Sequence, residues 1–180
     1  EERAALAARA QQGFERALPL ERSAFRRHLQ LCHIAQTAAL AHAHERARDA
    51  AEQVLREAHE HESTWQYGNS IHHANIALGH VAFDQGDVHE AGLKLLAAGA
   101  TRGSPQLDSY GPDLCLASRL LGLGERTVVV RYLRACGRFW AQPERLGGWI
   151  RRIESGELTV LDDDEDEDAA GEPGKEDGSA

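Results

Sequence analysis

Residues 78–105, LGHVAFDQGDVHEAGLKLLAAGATRGSP, are echoed by residues 116–143, LASRLLGLGERTVVVRYLRACGRFWAQP, at an offset of 38. Leu78-Gly79, Gly86-Asp87, Ala91, Leu95, Ala98 and Pro105 fall on Leu116-Ala117, Gly124-Glu125, Val129, Leu133, Cys136 and Pro143. Self-similarity at this period marks helical hairpins that cannot bury their apolar face alone and stack on a neighbour to do so. Ala91, Leu95 and Ala98 stand at i, i+4 and i+7, one face of a helix. The expected fold class is therefore all-α, built of stacked antiparallel helical hairpins in about three units, closed by a C-terminal capping helix.

The third unit is degenerate. Ala51, Leu55 and Ala58 repeat the signature of Ala91, Leu95 and Ala98 displaced by 40, which puts the chain reversal at residues 44–47 and Arg46 in the glycine's place. One domain is expected over residues 1–161: an N-terminal helix over 1–17 ended by Pro19, hairpin units over 21–62, 71–100 and 112–140, and a cap over 144–154. Within the hairpins the helices are expected at 21–42 and 48–61, at 71–83 and 88–100, and at 112–121 and 125–140. Residues 67–70, polar and containing Gly68, read as a break between units. Asp87, with Glu90 three residues on, reads as a helix N-cap, and Pro112 suits a first helical turn. In the cap, Leu146, Trp149, Ile150 and Ile153 share one side.

The unit from His72 to Pro105 resembles a tetratricopeptide repeat, in Leu78, Gly79, Ala91, Ala98 and the Gly86-Asp87 turn. The block at residues 69–75, with Gly103-Ser104-Pro105-Gln106-Leu107 and Tyr110-Gly111-Pro112, is similar to uncharacterised bacterial helical-repeat proteins. The tetratricopeptide likeness implies a concave face lined by the first helix of each hairpin, and a protein or peptide partner in it.

Composition narrows the partners. The net charge of −9 lies in residues 162–180, which hold ten acidic residues and one lysine; the preceding 161 residues carry 19 of each sign. No basic stripe suits a nucleic-acid backbone, so no nucleic-acid partner is expected. The tail lacks apolar residues to repay the entropy of ordering and is read as an acidic, disordered, solubilising extension. No apolar run reaches the length of a membrane span, so no membrane partner is expected. Cys32, Cys115 and Cys136 form no metal-type or redox pair and sit among apolar residues, which suits small buried hydrophobes in a reducing, cytoplasmic setting.

Ten histidines carry the chemical question. On the expected concave face, His33, Gln36 and His44 share one helix, and His73, His80 and Asp84 the next, at helical spacing. Two imidazoles and a carboxylate on one face could also hold a divalent metal, so His73, His80 and Asp84 are metal candidates beside their role in partner binding. Gln106, Asp108 and Tyr110 belong to a loop that reads either as a recognition element at the groove's edge or as a plug, with Leu107 and Tyr110 packed between hairpins. No HExxH, phosphate loop or nucleophile elbow is present, so neither a cofactor nor an enzymatic activity is expected. The sequence favours a scaffold binding a peptide or partner helix; the alternative is a small metal-binding protein or enzyme using the histidine-lined groove.

Overall fold

The computed structural model describes residues 1–161, so the reading of the acidic tail lies outside the described residues. The described residues are helical, with no strand among them. Helix α1 (Glu2–Ala17) leads through a short 3-10 turn (Leu18–Leu20) to α2 (Ala24–Leu40), which pairs antiparallel with α3 (His44–Glu57). Ser23 caps α2, its hydroxyl accepting the Arg26 N–H. Then follow α4 (Gln66–Asp84) with α5 (Val88–Gly99), a short α6 (Pro105–Tyr110), and α7 (Cys115–Gly122) with α8 (Arg126–Cys136). The last helix, α9 (Pro143–Ser155), buries Leu146, Trp149 and Ile153 against the end of the stack, with Ile150 packed at the margin. It is the expected cap.

All three hairpins turn in the same way. The N–H donors are Ala43 to Ala38 O (2.9 Å), Asp87 to Ala82 O (2.9 Å) and Glu125 to Leu120 O (3.0 Å). The residue before each donor is left-handed: His42 at φ 57°, Gly86 at 83°, Gly124 at 87°. This is the bond pattern that ends a helix by satisfying a carbonyl of its last turn, and it normally takes glycine. The first reversal therefore lies at residues 41–43, earlier than the expected 44–47, and His42, not Arg46, holds the glycine's place. The turns are 44 residues apart from His42 to Gly86 and 38 from Gly86 to Gly124. In that register Ala47, Ala51 and Val54 correspond to Ala91, Leu95 and Ala98, and all six are fully buried. Leu55, expected in that set, is only half-buried. Arg46 instead pairs with Glu15 and ties α1 to α3.

The second correction concerns α4, which begins at Gln66 and runs through the expected break. Gln66, Asn69 and Ser70 look like turn residues and are buried. The segment after α5 crosses directly over them. A Cβ on Gly68 would stand 1.8 Å from the Gly103 carbonyl oxygen, Thr101 Oγ1 donates to Gly68 O at 3.1 Å, and Asn69 bonds both Ser104 and Gln106. The polarity marks an interface between backbones. Pro112 precedes α7 and does not enter it; Asp113 starts that helix by accepting the Cys115 N–H at 2.9 Å.

One apolar cluster joins α2, α3 and α4, and a second joins α4, α5 and α7–α9; α4 belongs to both. Cys32 and Cys136 lie in these clusters as expected, whereas Cys115 is half-buried; all three are free thiols. Gly68 and Gly13 give a test of this packing. In an open helix Gly→Ala gains up to about 1 kcal/mol, and Gly13→Ala, with nothing within 4 Å of the new methyl, is expected to raise the urea midpoint. Gly68→Ala forces two backbones apart and is expected to cost roughly 1–3 kcal/mol. An unchanged or raised midpoint for Gly68→Ala would contradict the close crossing.

Candidate functional site

A groove of about 920 Å³ opens on the face formed by the first helices of the hairpins. His73 and His80 of α4, Cys115, Ser118 and Arg119 of α7, and the lip Tyr110–Pro112 form its main walls. Arg3 of α1 closes one edge, its guanidinium donating to Cys115 Sγ at 3.4 Å. Val160 and Leu161, after α9, close another. Leu161 is buried there and its N–H donates to Ser118 Oγ at 3.1 Å, while Leu158 closes the end of α9 with its N–H on Arg152 O at 2.9 Å.

Of the residues singled out in the sequence, His73, His80, Gln106 and Tyr110 line this groove. Tyr110 is 85% exposed at the lip, while Leu107 is buried, so the plug consists of Leu107 alone. Asp108 lies elsewhere, in a shallow cleft with Trp65 and Arg102. His33 is exposed beside α1, its ring stacked on Phe14 with centroids 4.9 Å apart, and neither it nor Gln36 is part of the groove lining. His44 stands at the start of α3 and not on α2, because the turn comes earlier.

Nor do His73, His80 and Asp84 converge as ligands. His80 Nδ1 accepts from Arg119 Nη1 at 2.9 Å, and Arg119 Nη2 also holds Asp84 Oδ1. The other Asp84 oxygen accepts from His42 Nδ1 at 2.7 Å and His44 Nε2 at 2.9 Å. Burial opposes ionisation of Asp84, but the hydrogen bonds from Arg119, His42 and His44 outweigh it and hold the carboxyl down at about 2. Arg119 and His42 were not among the sequence candidates. An arginine on an amphipathic helix carries no distinguishing signal, and His42 is visible only once the turn register is known.

Burial pushes His80 and His73 below the ordinary imidazole range, so the groove is lined by neutral rings at pH 7. His73 Nδ1 is buried and has no hydrogen-bond partner among the described residues. Beside it His72 is fully enclosed. Its Nδ1 donates to Ala98 O at 3.2 Å and its Nε2 accepts the Asp113 N–H at 3.1 Å, which requires the neutral ring. Burial, aided by His73, lowers His72 to about 4.

Nucleophilic chemistry finds no support among these groups. Burial raises the Cys115 thiol, which therefore stays protonated. His28 meets Ser70 Oγ at 2.8 Å and lies 3.8 Å from Glu57, but His28 and Ser70 have no exposed surface and the Ser70 hydroxyl bonds Gln66 O. That set braces α2 against α4. Among the described residues no helix is long and apolar enough to cross a membrane. Comparison with protein-family models, curated proteins and solved structures gave no match at the level of significance applied.

The buried imidazoles set a pH dependence. His28, His72, His73 and His80 bind protons more weakly folded than unfolded, so the unfolded chain takes up protons first and stability falls with pH. For His72 the loss spans from about 6.5 down to about 4. Urea midpoints should therefore drop steadily across that window. A midpoint that is flat from neutral pH to pH ~5 would contradict neutral buried rings.

Proposed function

We propose that the protein is an interaction module whose concave groove binds a peptide segment of a partner protein. One observation carries this reading. The chain's own Val160 and Leu161 lie against the groove, with Leu161 buried and its main-chain N–H received by Ser118. A socket for an apolar side chain beside a side-chain acceptor for backbone is what a bound peptide segment needs. The exposed Tyr110 ring and the His73, His80 and Gln106 side chains that line the groove supply further contacts beyond that segment. The tetratricopeptide resemblance agrees with this use of the first-helix face, and three free cysteines suit a reducing, cytoplasmic setting.

The test is selection from a random peptide library displayed on phage, followed by affinity measurement of synthetic copies. Enriched peptides are expected to bind the wild type and to lose about tenfold or more on His73→Ala and Tyr110→Ala, a change of ~1.4 kcal/mol. No enrichment, or peptides bound equally by both variants, would overturn the reading.

A further inference from the structure

His42 occupies a backbone position that the other two hairpins give to glycine. A left-handed conformation is unfavourable for a residue with a Cβ, and among the described residues His42 is the one non-glycine that adopts a positive φ. A glycine there would make the same turn without strain. Strain of this kind points to a task for the side chain. The imidazole is aimed at Asp84, where His44 already bonds the same oxygen and Arg119 the other. Without His42, Asp84 already has Arg119 on Oδ1 and His44 on Oδ2.

We propose that His42, His44 and Asp84 form a binding site for a divalent first-row transition ion of the zinc class. One nitrogen from each ring and one carboxylate oxygen all lie within 4.8 Å of one another, and they come from three separate places: the first turn, the start of α3 and the end of α4. Ligand bonds of about 2.0–2.2 Å in a tetrahedral site need donor atoms a little over 3 Å apart, within reach of side-chain rotation here. Both imidazoles now direct an N–H at Asp84 Oδ2. The ion takes the place of those two protons, and each ring moves its proton to its other nitrogen, so neutral rings bind without net proton release.

Arg119 has a defined part in this arrangement. By holding Oδ1 it leaves Oδ2 as a single ligand oxygen and fixes the carboxylate's orientation. Its positive charge weighs against calcium and magnesium, which depend on several oxygens, and favours ions that gain from two imidazole nitrogens. Three protein ligands leave one coordination position for water or for an incoming group. His42 and Arg119 both line the groove, so that position borders it. The site is independent of the peptide-binding reading and stands if that reading fails.

The experiment is isothermal titration of the full chain with zinc chloride, with cobalt(II) absorption as a second readout, on wild type, His42→Gly and His44→Ala. His42→Gly removes a ligand while giving the turn its preferred residue, so it is expected to fold and to melt at or above the wild-type temperature without metal. The wild type should bind one ion per chain and show the visible bands of tetrahedral cobalt. Both variants should lose these bands and bind zinc at least about tenfold more weakly. Absence of stoichiometric binding to the wild type would overturn the proposal. So would unchanged zinc affinity in His42→Gly, which would place the ion on other histidines.

Discussion

Helix α4 is buried along most of its length, and its enclosed polar groups, His73 Nδ1 excepted, are answered from within the protein. Burying an amide, hydroxyl or imidazole without a partner costs several kcal/mol, of order 1–3 in proteins. The neighbours of α4 are therefore placed by its side chains. Ser70 takes His28 of α2; Asn69 takes Ser104 and Gln106 of the crossing segment; His72 takes Ala98 O at the end of α5 and the Asp113 N–H before α7. The last of these matters most for the groove. Asp113 also receives the Tyr132 hydroxyl on its carbonyl at 2.7 Å and the Cys115 N–H on its side chain, so the wall carrying Cys115, Ser118 and Arg119 is set by His72.

The other end of α4 gathers the three hairpins onto one carboxylate. Asp84 is the final residue of the helix, where the aligned peptide dipoles disfavour a negative charge. Arg119 from the third hairpin and His42 and His44 from the first offset that cost. Arg119 also lies over the Phe83 ring at 4.0 Å, which fixes the guanidinium plane. The groove is thus bounded by a polar tie at Asp84 and an enclosed imidazole at His72, with α1, Val160 and Leu161 along its edges.

The second and third hairpins and the cap were legible because their turns carry Gly86 and Gly124 and their inner faces carry small and branched apolar residues at helical spacing. The first hairpin was displaced because a histidine stands in the left-handed position, and the residues added before α4 shift the register from 38 to 44. The start of α4 was hidden for a different reason: Gly68, Asn69 and Ser70 have turn chemistry, and only the crossing segment shows that they are an interface. In the groove, His73 and His80 followed from helical spacing together with the concave first-helix face that the tetratricopeptide resemblance implies. Their equivalents one repeat on, at positions 111 and 118, are Gly111 and Ser118, and both line the groove. The repeat thus held half of the wall. Arg119 and the α1 edge have no counterpart in any earlier unit.

The state of His72 is the point on which this arrangement turns, and imidazole nitrogen NMR of the full chain reads it directly. The account predicts a neutral ring protonated on Nδ1, donating to Ala98 O, with nitrogen shifts that hold from neutral pH to pH ~5 because burial lowers its proton affinity to about 4. A ring protonated on Nε2, or one titrating near ~6.5 like an exposed histidine, would contradict it.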